Sequence, residues 1–575
     1  MTETMKQTGY PSIDKPWLKY YGITEIGLPS PKQSMYDYLY QCNRNNLTSN
    51  AIDFYGNVIT FQKLFEMIDH VAIALQKNGI NKGDIVSVCS LTTPETICLI
   101  YAINKIGAIS NMIGLTSPVQ DIHEQLASTR SKIVFSIEMA YESIVQAANE
   151  TTVEKIIIIP IEYSMPYALK VLIKMKQKSP NIVANTINWK SFIKNAERFD
   201  YHEVTTDCTE TAIIVYTGGT TGIPKGVMLT SYSMNSYHYN FSITNANSWT
   251  NYTRGESYLS CIPLFLAIGL SSCLHGPLCQ GMICVLSPDP GPEAVAKIIL
   301  RRKPEHIVCA PIHYNLLVER LNKRINLSYI KSAMYGGESI DQAWEKRIND
   351  ILSEHKMNCL VLNGYGMTET AAAIMITTKN MPSNLLPLFG VDLKVINENM
   401  TECKYGEEGE LCFSSNTIMK GYYHNDSESN KAFFEENNIK WLRSNDLAII
   451  SEDGLVQIIG RIKRIYWKKG LHETVNRVYP LRIEEAIEKD ERVINSSVVG
   501  IKNSITGYRT IAFIIAYKNA DIETLESDLK KICQDNLPES HLPDEYRFLD
   551  SFPLTRAGKV DYRKLEKLAE EQING

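Results

Sequence analysis

The sequence predicts an α/β protein with a large N-terminal domain of layered sheets and helices and a small C-terminal α/β domain. Three observations predict it. Apolar β-branched runs alternate with segments of helical period, the pattern of a mostly parallel, helix-covered sheet. The 575 residues exceed what one compact domain of about 100–200 residues usually holds. The run Ala212-Ile213-Ile214-Val215 stops at a glycine-rich stretch, as a buried strand does when it feeds a ligand-binding turn.

Composition narrows the function classes. Hydrophobic residues make up 44% and charged residues 21%, ordinary for a soluble globular enzyme. The net charge of −5 gives no global attraction to nucleic acid, so no such partner is expected. Thirteen scattered cysteines, none spaced Cys-x-x-Cys, suit a reduced cytoplasmic protein rather than a disulfide framework or a zinc site. The N-terminus lacks an apolar core, so no signal peptide is expected. The most apolar long window, Ile97 to Leu115, is interrupted by Asn104, Lys105 and Asn111. It reads as a buried helix followed by a strand.

Taken in order, residues 1–30 are polar and punctuated by Pro11, Pro16 and Pro29, and are expected as an arm on the surface. Thr60 precedes Phe61, Leu64, Phe65, Ile68, Val71, Ala72 and Leu75, a helical spacing with a threonine placed as N-cap. Ile85 to Cys89 reads as a strand, Pro94-Glu95 opens a helix that ends before Gly107, and Ile156 to Ile159 is a further strand. Residues 166–178 mix Tyr167, Leu169, Val171, Leu172, Ile173 and Met175 with Lys170, Lys174, Lys176 and Lys178. A surface helix with solvated lysines accounts for that mixture, and so does an interfacial helix. The segment is therefore a candidate for peripheral membrane contact. Beyond Ile462 the pattern describes a small unit: a helix over 480–489, strands over 494–501 and 511–517, and a helix over 522–534.

The stretch Tyr216-Thr217-Gly218-Gly219-Thr220-Thr221-Gly222-Ile223-Pro224-Lys225-Gly226-Val227 carries the chemistry. Glycines bare backbone N–H groups, threonine hydroxyls add donors and lysine adds charge, so the loop suits nucleotide phosphates. It is not the Walker loop, because Pro224 precedes Lys225 and Gly226 follows it.

The whole string resembles the phosphate-loop signature of the adenylate-forming superfamily of acyl-CoA synthetases, peptide-synthetase adenylation domains and luciferases. Further strings resemble that family's signatures in the same order: Ile262-Pro263-Leu264-Phe265-Leu266-Ala267-Ile268-Gly269-Leu270, Gly336-Gly337-Glu338, Gly364-Tyr365-Gly366-Met367-Thr368-Glu369, Trp441-Leu442-Arg443-Ser444-Asn445-Asp446, Gly460-Arg461-Ile462-Lys463-Arg464 and Pro553-Leu554-Thr555-Arg556-Ala557-Gly558-Lys559. The resemblance implies an N-terminal adenylate-forming domain over 1–461 and a mobile small domain over 462–575. Thr217, Gly218, Gly219, Thr220, Thr221, Gly222 and Lys225 would hold phosphates. Gly336, Gly337, Glu338, Gly364, Tyr365 and Gly366 would surround adenine. Asp446 would take the ribose hydroxyls, with Arg461 a ribose or phosphate contact. Thr368 and Glu369 fall in the catalytic string, Glu369 as the ligand of Mg²⁺, and Lys559 would be the catalytic lysine. Leu266, Gly337 and Met367 would line the acyl pocket, and Arg464 would be the hinge.

The reaction so implied is ATP-dependent activation of a carboxylic acid to its acyl-adenylate, followed by thioester formation with CoA. A medium- or long-chain fatty acid is the expected substrate. Residues 259–270 carry no carboxylate to pair a buried ammonium, which argues against an amino acid. Leu266 stands where the family often has histidine. Asn445 replaces a glycine but tolerates positive φ. Arg482 replaces a glutamate, and the loop between Gly470 and Pro480 is longer than the family's usual spacing. Since that loop shapes the thioester half-reaction in relatives, a second reading keeps the adenylate and changes the acceptor to a carrier protein's phosphopantetheine. A third, of another class, is a non-catalytic nucleotide-binding module, against which the joint retention of Lys225, Glu369, Asp446 and Lys559 argues.

Overall fold

The computed structural model describes residues 8–22, 31–176, 182–183, 185–194, 201–217, 224–248, 252–337, 342–469, 475–503, 507–518, 520–555 and 559–571. Two large sheets dominate the chain as far as Arg461. In the eight-stranded sheet, six strands run parallel: Thr211–Tyr216, Ile109–Met112, Ile85–Cys89, Ile133–Ile137, Lys155–Ile159 and Thr186–Asn188, in that spatial order. Their apolar runs are continuous rather than alternating because both faces are covered. Gly226–Thr230 and then Gly421–Tyr422 extend this sheet antiparallel beyond Thr211–Tyr216.

The expected helical pattern is borne out at Phe61–Lys77. Thr60 caps it by accepting the Lys63 N–H, and Phe61, Leu64, Phe65, Ile68, Val71, Ala72 and Leu75 face the core. Full burial of each large side chain contributes about 1.5–3 kcal/mol before entropy is counted. Truncation at Leu64, which is fully buried, would cost about 2–5 kcal/mol. Pro94–Lys105 and Ile109–Met112 form the helix and strand expected within the apolar window. Among the described residues no helix is long and apolar enough to cross a membrane.

The fourteen-stranded sheet carries the other face of the site. Its parallel core includes Ser257–Ser260, His306–Cys309, Ser332–Gly336 and Val361–Gly366. Antiparallel strands continue it through Ile439–Ile450 and Val456–Arg461.

The expectation of a surface arm is corrected for residues 8–22. Pro11–Asp14 and Pro16–Tyr21 form short helices, and Trp17 is 0% exposed. The Tyr21 hydroxyl donates to the Pro387 carbonyl at 2.6 Å, and its ring meets Phe389 edge-on. Lys15 pairs with Asp392 at 2.7 Å, and the Ser12 hydroxyl donates to Glu402 at 2.8 Å. Polar, proline-rich composition hid aromatic anchors that pack like core.

The small unit is built as the sequence suggests. Pro480–Ile487 and Ile522–Asn536 cover strands Val493–Asn503 and Gly507–Ala516, with Glu545–Phe548 parallel to the latter. Its own core gathers Val478, Ile483, Val498, Ile514, Leu525 and Leu529.

Candidate active site

The phosphate-loop candidate joins two antiparallel strands, Thr211–Tyr216 and Gly226–Thr230, with Tyr216 opposite Gly226. The Thr217 N–H donates to the Lys225 carbonyl at 3.0 Å and closes the base of the loop. Gly218, Gly219, Thr220, Thr221, Gly222 and Glu338 lie outside the described residues. Thr217 Oγ1 is buried and has no hydrogen-bond partner among the described residues. Such a group costs about 1–3 kcal/mol unless something pairs with it, so it is poised for a ligand oxygen.

Lys225 Nζ stands 3.1 Å from Glu428 and 4.2 Å from the centre of the Tyr422 ring. Glu428 sits in the first turn of helix Asp426–Ala432, which Asn425 caps. Lys431 and then Lys225 push the Glu428 carboxyl down to about 2. The Tyr422 hydroxyl donates to Glu369 at 2.8 Å. One ring therefore touches both the loop lysine and the buried carboxylate. Glu369 lies in the turn Thr368–Thr370, where the Thr370 hydroxyl accepts the Met367 N–H and the Glu369 carbonyl accepts the Met419 N–H. The motifs in the sequence single out neither Tyr422 nor Glu428; the aromatic pair in Lys420-Gly421-Tyr422-Tyr423 is the signal that could have found the first.

On the other side, Tyr365 ends strand Val361–Gly366, and its hydroxyl donates to Asp446 Oδ2. Asp446 faces Arg461 across two antiparallel strands, with Arg461 Nε 2.8 Å from Oδ1. That approach is an ion pair without hydrogen-bond alignment, so Oδ1 is buried with its hydrogen-bonding capacity unused. Burial raises the Asp446 carboxyl above its ordinary range, while Arg461, the Tyr365 hydroxyl and Lys559 pull against that rise. Burial and the adjacent Asp446 hold Tyr365 as a neutral phenol donor. Asn445 has φ +60°, the conformation expected of it. Its N–H donates to Glu410, whose other oxygen accepts two bonds from Arg443 at 2.9 and 2.6 Å. Glu410 thus fixes the backbone that presents Asp446.

Between these halves lies a floor without side chains. Gly336 and Gly364 are opposed in adjacent parallel strands, and a Cβ on Gly336 would stand 2.8 Å from the Gly364 carbonyl oxygen. Gly366 follows at a register shift, and Gly337 has φ +91°. Leu266 leads into helix Ala267–Leu270, which continues as a π turn, Ser271–His275. A Cβ on Gly269 would meet the Pro263 carbonyl oxygen at 2.2 Å, so only glycine lets this helix start so close to its own approach. A Cβ on Gly336 would meet Ile268 Cδ1 at 4.0 Å and one on Gly364 would meet Met334 Sδ at 3.0 Å, so apolar side chains border this end of the floor. Leu266 and Met367 are partly buried.

Lys559 belongs to the small unit, beside Thr555. Its N–H donates to the Thr555 hydroxyl and its carbonyl accepts the Thr555 N–H at 2.6 Å. Its charge is among those that lower the Asp446 carboxyl against burial. Arg464 is anchored within the small unit. It pairs with Glu484, donates to the Val498 carbonyl at 3.1 Å and lies 3.9 Å from the Tyr562 ring centre. The long loop before Pro480 contains a hairpin, Tyr466–Lys469 with Val475–Val478, whose tip at 470–474 lies outside the described residues.

Among the described residues no three His, Cys, Asp or Glu side chains gather as a ready metal cage. Glu369 is a buried carboxylate in the same half as the unpaired Thr217 hydroxyl and Lys225. That donor set fits Mg²⁺ brought in with a nucleotide, since Mg²⁺ takes one or two carboxylates and completes its shell with phosphate oxygens and water.

Comparison with known proteins agrees with this geometry. Residues 40–423 match the AMP-binding enzyme family and residues 482–559 match the AMP-binding enzyme C-terminal domain. A long-chain-fatty-acid–CoA ligase of Bacillus subtilis (strain 168) is 27% identical over 97% of this chain and 99% of its own length. A 2-succinylbenzoate–CoA ligase of Listeria innocua is 25% identical over 90% of this chain and 96% of its own. The crystal structure of the anthranilate CoA ligase AuaEII with anthranoyl-AMP superposes with a TM-score of 0.79 at 20% identity, covering 94% of this chain and 98% of that one.

Proposed function

The chain belongs to the AMP-binding enzyme family and is an acid–thiol ligase, and from its site we propose that it activates a medium- or long-chain aliphatic acid with ATP and passes the acyl group to CoA. The observation that carries the nucleotide step is the pair of buried oxygens without a hydrogen-bond partner among the described residues, Thr217 Oγ1 and Asp446 Oδ1, the latter facing Arg461, on either side of a side-chain-free floor. The first suits a phosphate and the second a ribose hydroxyl.

In the first half-reaction an oxygen of the substrate carboxylate attacks the α-phosphorus of ATP. The bond to the bridging β-oxygen breaks and pyrophosphate leaves. No protein nucleophile is needed, so positioning and charge neutralisation do the work. Lys225 releases Glu428 and turns to the phosphates. Mg²⁺ held through Glu369 would neutralise phosphate charge. Tyr365 and the glycine floor receive adenine, Asp446 and Arg461 hold the ribose, and Lys559 stabilises charge between carboxylate and α-phosphate. In the second half-reaction the CoA thiol sulfur attacks the acyl carbon, its proton passes to solvent, and AMP leaves. Rotation of the small domain at Arg464 would withdraw Lys559 for this step. The anchoring of Arg464 to Glu484 supports that role, because it makes the residue move with the small domain.

Ile268 and Met334 beside the glycine floor support an aliphatic acyl group, whose pocket Leu266 and Met367 would also line. Soluble co-substrates, together with cysteines that are free throughout, support a cytoplasmic setting. The test is thioester formation from a panel running from acetate to palmitate, with benzoate and amino acids included, each offered CoA and a phosphopantetheinylated carrier protein. A peak at a medium or long aliphatic acid with CoA as acceptor is expected. A peak at an aromatic or amino acid, or transfer to the carrier protein alone, would overturn the assignment.

A further inference from the structure

The helix Tyr167–Lys176 is turned the wrong way for an ordinary surface helix. Tyr167 is 82% exposed, Met175 80%, Leu172 54% and Val171 42%, and Ala168 is exposed among them. Tyr167, Val171 and Met175 follow one another at four-residue spacing, so they stack along one face. Leu169 and Ile173 pack against the core on the other side. The apolar stripe therefore faces outward. Ile182, 66% exposed, and Val183 follow it in the chain, and Tyr163 precedes it.

Charge on this segment is equally one-sided. Residues 163–194 contain Lys170, Lys174, Lys176, Lys178, Lys190 and Lys194 and no aspartate or glutamate, in a chain where acids outnumber bases 64 to 59. The chain entering the helix is tied to the body of the protein, where the Asn57 side chain donates to the Ser164 carbonyl at 2.7 Å, and Leu169 and Ile173 hold its inner face. A helix so anchored, with an outward apolar stripe and lying in a stretch of lysines without acids, has the chemistry of an interfacial element. Its apolar side chains enter the headgroup boundary and its lysines meet anionic lipid.

We propose that the face built on Tyr167, Val171, Leu172 and Met175 docks this protein on an anionic membrane surface. The helix is too short to span a bilayer, and the contact is peripheral. Each lysine near an anionic surface is worth about 1 kcal/mol, or about fivefold in partitioning, so the contact weakens at high salt.

The experiment is vesicle flotation of the full chain with phosphatidylcholine alone and with phosphatidylcholine mixed with phosphatidylglycerol, at low and high salt. The chain is expected to float with the anionic vesicles at low salt and to be released by high salt and by neutral vesicles. Lys170→Gln, Lys174→Gln, Lys176→Gln and Lys178→Gln together are expected to lower partitioning by about 100-fold or more. Leu172→Ser with Met175→Ser is expected to lower it by about tenfold. Both variants change a segment outside the catalytic site, and unchanged thermal midpoints would confirm that they fold. Absence of flotation by the wild-type chain, or equal flotation of all three proteins, overturns the proposal. So does a concentration-dependent dimer that Met175→Ser dissolves without any vesicle binding, which would assign the face to a second copy of the chain.

Discussion

The ribose half and the phosphate half of the site hold their charges differently. Asp446 is 2% exposed, tied to Tyr365 and faced by Arg461, on a backbone fixed by Glu410 and Arg443. Lys225 keeps 27% of its side chain exposed and Glu428 keeps 35%. Arg461 is itself 53% exposed, so the difference lies in the carboxylate: a buried one left without its partners is strongly destabilising, whereas a partly exposed pair is worth about 0–1 kcal/mol. On the proposed reading the Asp446 half is a fixed anchor for ribose, and the Lys225–Glu428 pair is a latch that a polyphosphate would open at little cost while Tyr422 keeps Lys225 near Glu369.

The largest effect is expected at Lys559, the residue proposed to serve the reacting centre and whose charge acts on Asp446. Lys559→Ala is expected to slow acyl-adenylate formation by at least about 100-fold while sparing thioester formation from supplied acyl-adenylate. Rapid-quench assays of the two half-reactions check this, and equal loss in both would remove the two-conformation account. Asp446→Asn comes next. It keeps the shape but loses a charged acceptor, and ATP affinity by calorimetry is expected to fall about 10- to 100-fold. A loss under threefold would show that the anchor lies elsewhere.

The same burial rule reaches the scaffold behind the site. Burial pushes His238 down to about 4, and burial with His238 nearby pushes His275 down to about 3, both from an ordinary 6.5. Below about pH 6.5 the unfolded chain takes up protons that the folded chain refuses, so stability is complete above that pH and declines as pH falls toward 4. Burial lifts Glu95 to about 6, which acts in the opposite sense between its ordinary 4.5 and 6. His306 and His541 are lowered as well, and Asp446 and Glu566 are raised like Glu95; the four histidines outweigh the three carboxyls, so the urea midpoint is expected to fall from pH 7 to pH 5, and His275→Gln should flatten that slope. A rising midpoint would contradict the assignment.

The smallest effect tests the latch. Glu428→Gln frees Lys225 from an exposed pair, so ATP affinity should tighten by no more than about fivefold. A large loss would make Glu428 a ligand-binding group instead.

What was legible in the sequence was local. Thr60 read as a cap, Asn445 read as a positive-φ residue, and the apolar runs read as strands. Each is decided by neighbours a few residues away. The missed features are long-range. Tyr422 matters because strand Gly421–Tyr422 docks on Gly226–Thr230, bringing a residue near 420 beside residues 225 and 369. Trp17 is core only because Pro387, Phe389 and Asp392 lie near the segment that carries it. Helix 167–176 was foreseen as mixed, but which of its faces points outward was settled by its neighbours.

The most direct test of the central claim, that acid and nucleotide react at this site before any thiol enters, is ATP–pyrophosphate exchange without CoA. The account predicts exchange that depends on an aliphatic acid and falls at least about 100-fold in Lys559→Ala. Exchange absent with every acid, or proceeding equally without one, would contradict it.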